Sequence, residues 1–267
     1  MIMKKTLLGI AALLALTGSS ALAADLARPV YKAPPPPPPP VYSWTGCYVD
    51  GGGGYGMWNQ DSFTETTAGL VPLSVTTTFG GRGWFGQVGA GCDYQIASSF
   101  LIGAFGDYDF MSLKGQYMDP LTGFVGQEKE TGSWAVGGRL GYIALPGLLT
   151  YINGGYTQAR FDQVNFGSLI TGAPLGLDIA ATTYNGWFLG GGTETSLANF
   201  FGLGLPPGLF LRSEYRYSSF SAKDDPILIT ATGAPFGLSD HVNKYVQTLS
   251  TSLVWKFNWA SPVSARY

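Results

Sequence analysis

Charge is what this sequence has least of: Asp, Glu, Lys and Arg make up 12% of its 267 residues, about half the ~25% usual for a soluble globular domain. A water-covered surface of this size would need more. Long apolar runs are missing too. Past Ala24 no stretch of 18 apolar residues exists, and the nearest approach, Leu197 to Leu211, is broken by Gly202, Gly204, Pro206, Pro207 and Gly208. A membrane-spanning helix needs roughly 20 such residues, so helical spans are excluded. Where water is absent every backbone amide and carbonyl must find an internal partner, which leaves a closed barrel for a membranous chain without helices.

Functional residue types are equally sparse. His241 is the single histidine, and Ser239-Asp240-His241 are consecutive, a spacing in which three side chains do not readily form the nucleophile, base and orienter relay of acyl transfer. Gly51 to Gly54 lacks a following Lys-Ser or Lys-Thr and so is no phosphate-binding loop. Two cysteines without nearby histidines do not suggest a metal centre. No cofactor is expected. Nor is nucleic acid: leaving aside Lys4 and Lys5, the acids outnumber the bases by four, the opposite of the basic footprint that binding requires.

What the chain does have begins with a leader. Lys4 and Lys5, an apolar stretch from Leu7 to Leu16 and the small-residue pattern Ala21-Leu22-Ala23 predict a secretory signal peptide over 1–23. Residues 24–43 follow as a periplasmic Pro-rich segment. The unbroken run Pro34 to Pro40 favours a stiff polyproline II spacer of roughly 20 Å.

The whole chain has 39 glycines and 14% aromatic residues, most of both within residues 44–267. Segments that alternate in polarity as strands do fall near 44–58, 83–95, 100–112, 133–144, 149–162, 185–197, 208–221 and 243–259. The gaps between them run about 24, 4, 20, 4, 22, 10 and 21 residues, the long-short rhythm of a meander with short periplasmic turns and long outer loops. The predicted fold is therefore all-β: an eight-stranded antiparallel up-and-down transmembrane β-barrel. Two long connections share an element, Thr171-Gly172-Ala173-Pro174-Leu175-Gly176-Leu177 recurring as Thr232-Gly233-Ala234-Pro235-Phe236-Gly237-Leu238, which predicts repeated loop geometry with a Pro-x-Gly turn at each tip.

Period-two alternation divides each strand into a lipid face and a lumen face, and the charges decide between them. The lipid set includes Trp134, Val136, Leu140 and Tyr142, then Leu209, Leu211, Tyr215 and Tyr217, then Leu249, Leu253, Trp255, Phe257 and Trp259. The opposite face of the last strand carries Lys244, Ser250, Ser252 and Lys256. The same parity places Asp50, Asp93, Asp107, Asp109, Glu194 and Glu214 in the lumen with Arg139, Arg160, Arg212, Arg216 and Lys256. Within 149–162 the signals conflict, since Gln158 and Arg160 want the parity that Ile152 and Tyr156 oppose. An eight-stranded barrel is only wide enough for side chains to fill, so these charges are expected to pair and close the lumen, unpaired buried charge being costly. Cys47 and Cys92 fall on the lipid faces of the first two strands, within a couple of residues of one another across the hairpin. Either a cross-strand disulfide or two free thiols fits.

Ala-Ala-Asp-Leu at 23–26, the Pro-rich lead-in, Trp44-Thr45-Gly46-Cys47-Tyr48-Val49, Trp255-Lys256-Phe257-Asn258-Trp259 and the Ala265-Arg266-Tyr267 ending resemble the small outer-membrane surface antigens of alphaproteobacteria. These are porin-family or outer-membrane immunogenic proteins with an OmpA-like transmembrane barrel. The resemblance implies loops exposed at the cell surface, contact with outer-membrane lipid and lipopolysaccharide, and folding by the barrel-assembly machinery. That machinery's recognition pattern would map onto Ser250, Ser252, Trp255 and Phe257, with Ser252 in the usual glycine position. It also implies roles in envelope integrity and surface antigenicity, with an unidentified extracellular ligand at the loops as a further option. A structural surface protein with a closed lumen is the leading expectation and not an enzyme. A small passive channel, a ligand-binding adhesin and a lipid-modifying enzyme are the alternatives.

Overall fold

A computed structural model describes residues 44–198, 205–206 and 208–257. The leader, the Pro-rich segment and Trp259 lie outside the described residues. Eight long strands form the wall: β1 Gly46–Thr66, β2 Thr77–Gln95, β3 Phe100–Met118, β4 Val125–Leu145, β5 Leu148–Phe161, β8 Thr182–Ser196, β9 Leu209–Phe220 and β11 Ala234–Phe257. Three short strands, β6 Val164–Gly167, β7 Pro174–Ile179 and β10 Lys223–Ile229, belong to the outer connections. The order β1-β2-β3-β4-β5-β8-β9-β11 closes when β11 pairs antiparallel with β1, from Cys47↔Phe257 to Thr66↔Leu238. Closure leaves no open edge in the hydrocarbon, as an exposed backbone would be untenable there.

All eight predicted segments are strands, but they run further outward than polarity alternation indicated. β1 has 21 residues and β11 has 24, where a bilayer crossing needs only about ten. The surplus rises beyond the lipid-facing band, which spans from Phe100, Tyr142, Trp255 and Phe257 at one edge to Tyr108, Trp134, Tyr156 and Trp187 at the other. There β11 pairs β10, β10 pairs β7, β7 pairs β6, and β6 touches β4 at Val125↔Gly167. The long loops are thus largely sheet.

The repeated element makes the same turn twice, but not where the Pro-x-Gly pattern pointed. Gly172 and Gly233 both have φ 69°. Their amides donate to Ser168 and Ile229 carbonyls at 2.8 Å, and the next amide in each case meets a Thr hydroxyl, Thr171 or Thr232, at 3.3 Å. Both glycines of each repeat, Gly172 and Gly176, Gly233 and Gly237, have positive φ, which a residue without a Cβ adopts readily, but the hydrogen-bonded turn closes at the one before the proline, and Pro174 opens β7, a strand start that needs no amide donor.

Inside, three apolar clusters stack along the axis. Trp44, Tyr48, Leu101, Leu149, Tyr151, Phe210 and Val254 form the first. Trp58, Phe85, Met111, Leu113, Phe161, Tyr184, Phe220, Val242 and Val246 belong to the second. Tyr117, Val164, Phe166, Leu177, Ile179 and Ile227 cap the outer end. The interior is therefore aromatic as well as charged. Glycines on the inward face of β1 make the room: a Cβ on Gly54 would run into the Leu249 carbonyl and the Phe85 ring, and one on Gly56 into Leu113.

Candidate functional site

Nine of the predicted lumen charges meet among the side chains of the first cluster. Arg139 reaches from β4 to Asp93 on β2, donating through Nε at 2.8 Å and again through its terminal nitrogen, and to Glu194 on β8 at 3.2 Å. Arg212 on β9 donates to Asp50 at 3.0 Å and to Glu194 at 3.1 Å. Arg216 grips Asp107 on β3 at 2.9 and 2.7 Å and Glu214 at 2.8 Å. Lys256 on β11 lies 3.1 Å from Asp93 and 2.8 Å from Glu194. Glu214 also accepts from Tyr151 at 2.7 Å and Asn153 at 2.9 Å. These are buried, charge-assisted and partly bidentate contacts, the strong class of hydrogen bond.

Aromatic faces complete the packing. The Tyr48 ring lies 4.7 Å from both Arg139 and Arg212, Arg216 sits 4.5 Å from the Phe188 ring, and Lys256 4.4 Å from Trp44. Desolvated cation–π pairs of this kind contribute about 2 kcal/mol each. The space left among Tyr48, Arg139, Arg212 and Arg216 is about 10 Å³, about one water.

Asp109 is inward and buried, but it lies beyond the network, with Ser133 Oγ at 3.5 Å. Arg160 is a correction: it is exposed on the outward face of β5, where Leu149, Tyr151, Asn153, Thr157, Ala159 and Phe161 point inward and Ile152, Tyr156, Gln158 and Arg160 outward. Apolar burial decided the parity. Arg160 escapes the hydrocarbon because it stands four residues past Tyr156, at the outer edge of the band, where a long cationic side chain reaches water.

Alternation also missed a second buried cation system nearer the surface. Lys244 donates to Glu128 at 2.6 Å and to Gln60, with the Phe161 and Tyr184 rings 4.4 and 4.9 Å away. Lys244 was legible as an inward position; Glu128 was not, because a straight period-two count from Arg139 turns it outward. A bulge at Thr131, where pairing to β5 slips between Glu130 and Gly132, reverses the parity and brings Glu128 and Glu130 inside. Burial pushes the Glu130 carboxyl up to about 8, with the nearby Asp109 charge adding to it. Asp225, hydrogen-bonded by Tyr184, is likewise raised by burial.

Cys47 and Cys92 stand directly opposite in the β1–β2 register and are joined by a disulfide on the outward face. In β11, Ser250 and Ser252 face inward and Trp255 and Phe257 face outward. Asp240 points into the barrel and accepts from Tyr117, whereas Ser239 bonds Thr67 at 3.1 Å and His241 bonds Asp224 at 2.6 Å. The Ser-Asp-His run is thus divided among different partners.

No family model matches the chain. It is 30% identical over 227 residues to the 31 kDa outer-membrane immunogenic protein of Brucella melitensis, covering 80% of this chain and 87% of that protein, and equally similar to the protein of the same name in Brucella suis. Among solved structures it is similar to Neisserial surface protein A, at 14% identity over 80% of this chain and 98% of that one, with a TM-score of 0.37. OprG of Pseudomonas aeruginosa matches at 11% identity, over 80% and 97%, with a TM-score of 0.49. The outer membrane protease OmpT of Escherichia coli matches at 10%, over 79% and 97%, with a TM-score of 0.40.

Proposed function

The chain belongs to the family of the 31 kDa outer-membrane immunogenic proteins and is a surface β-barrel of the cell outer membrane; on that premise we propose that it is a structural surface protein with a sealed lumen, and neither a channel nor an enzyme. One observation carries this reading: Arg139, Arg212, Arg216 and Lys256 are tied to Asp50, Asp93, Asp107, Glu194 and Glu214 across the barrel, with room left among them for about one water. Moving such charges apart to open a path would leave each buried and unpaired, at several kcal/mol per ion. The barrel's role is then to hold an extended outer sheet rigidly above the lipid, contributing to envelope integrity and surface exposure.

The non-enzymatic reading is supported by the separation of Ser239, Asp240 and His241 among different partners. The outward aromatic band suits outer-membrane lipid and lipopolysaccharide, and Trp255 and Phe257 on the last strand suit recognition by the barrel-assembly machinery. Planar-bilayer recording of the refolded protein tests the sealed lumen. The expected result is a membrane that stays at baseline; reproducible conductance steps of uniform size would reject closure and favour the passive channel.

A further inference from the structure

Three strands lie side by side at the outer end of the barrel: β1, β11 and β10. In their registers Phe63 is opposite His241, and His241 is opposite Asp224. One donor atom each of Glu65, Asp224 and His241 lies within 4.8 Å of the other two. His241 Nδ1 is 2.6 Å from Asp224 Oδ1, and Phe63 stacks on the imidazole at 4.8 Å and 23°, fixing its orientation. Glu65 is 3% exposed, covered by the segment that returns through its bridge to Pro72. Its Oε1 is buried without a hydrogen-bond partner.

The charges do not close by themselves. Two carboxylates converge on one imidazole, so with both ionised even a protonated His241 leaves one negative charge uncompensated, next to a buried carboxylate oxygen without a hydrogen-bond partner. A divalent cation with neutral imidazole would balance both. We propose that Glu65, Asp224 and His241 form a binding site for a divalent transition-metal cation, with zinc the best match. One nitrogen and two carboxylate oxygens suit zinc better than calcium or magnesium, which take all-oxygen shells. Ligand distances near 2.0–2.2 Å in a tetrahedral shell set the donor atoms about 3.4 Å apart, so His241 and Asp224 separate from 2.6 Å as the ion enters between them and Glu65 draws in from within 4.8 Å. Three protein ligands leave a fourth, open position for water. The side chains of His241 and Asp224 are 35% and 36% exposed, which provides the entry path. Bound metal would clamp the β10 hairpin to the barrel wall, joining residues 224 and 241 to residue 65.

The test uses the refolded mature protein in detergent, freed of metal by chelator, titrated calorimetrically with zinc and separately with calcium. The expected result is one equivalent of zinc, saturating in the micromolar range, weakened about tenfold or more by His241→Ala and by Asp224→Asn, and much weaker binding of calcium. Folding of each variant is checked by its cold-SDS electrophoretic mobility. Should a variant fail to fold, cobalt(II) added to the wild-type protein decides: intense visible d–d bands of a low-symmetry nitrogen and oxygen site support the assignment, and an aqueous-ion spectrum overturns it. Absence of saturable zinc binding, zinc binding untouched by both substitutions, or calcium binding as tight as zinc would each overturn it.

Discussion

Both carboxylate oxygens of Glu130 are buried without hydrogen-bond partners, in the part of β4 that stands beyond the lipid-facing band. Burial, reinforced by Asp109, moves this carboxyl from its ordinary 4.5 to about 8, so the folded barrel holds the neutral acid at neutral pH. A raised carboxyl stabilises the fold fully below its unfolded value and loses that contribution as pH rises through the folded one. Thermal midpoints should therefore fall between about pH 5 and pH 8 and level off above, and Glu130→Gln should flatten that slope; a slope unchanged in the variant would refute the assignment. Arg212 shows the opposite case, a permanent charge whose removal orphans its partners. Arg212→Met leaves Asp50 and one side of Glu194 uncompensated and should cost about 3–5 kcal/mol in urea unfolding of the micelle-bound barrel. Adding Asp50→Asn should recover part of that loss, because the orphan is then neutral. Strictly additive losses in the double variant would sink this account.

Among the elements, the two outer hairpins were readable from the chain as a repeat, and their shared geometry follows from Thr-Gly-Ala-Pro in both. Gly172 and Gly233 each occupy the left-handed region, where an added Cβ costs roughly 1–2 kcal/mol. Gly172→Ala and Gly233→Ala should each speed limited proteolysis at the outer loops while leaving the cold-SDS mobility of the barrel unchanged. The two hairpins touch through Ile179↔Ile227 and Leu177↔Ile229, so the double variant should lose more protection than the sum. Other features at this scale were not readable. β6, β7 and β10 have four, six and seven residues, too short for alternation to show, and the bulge at Thr131 leaves no mark in a Gln-Glu-Lys-Glu-Thr run that reads as loop. The outward extension of β1 was hidden for a related reason: above the lipid its outer face meets water while Gln60, Ser62 and Thr64 turn inward and are fully buried, so the apolar-polar contrast that marks a membrane strand fades.

On the scale of the whole molecule, wall and filling are separable. The wall rests on backbone pairing closed by β1 and β11, while the lumen is held by side chains from all eight strands, the charges coming from seven and Tyr151 and Asn153 from β5. Shaving the filling with Arg212→Ala, Arg216→Ala and Tyr48→Ala together should leave a folded barrel by circular dichroism that now passes ions in planar bilayers. Silent membranes from a folded triple variant would show that closure rests elsewhere.

The chain by itself determined the export-type leader expectation, the eight strands, their alternating faces and which charges turn inward on seven of them. Those features are local, because polarity with period two is written along a few consecutive residues. Only the tertiary structure decided which acid meets which base, that Arg160 faces out and Glu128 in, and that Glu65, Asp224 and His241 converge. Arg139 and Asp93 are 46 positions apart and Arg212 and Asp50 are 162. Such partners are brought together by strand register and bulges around a closed ring, and register is a property of the pairing of strands, not of any one of them.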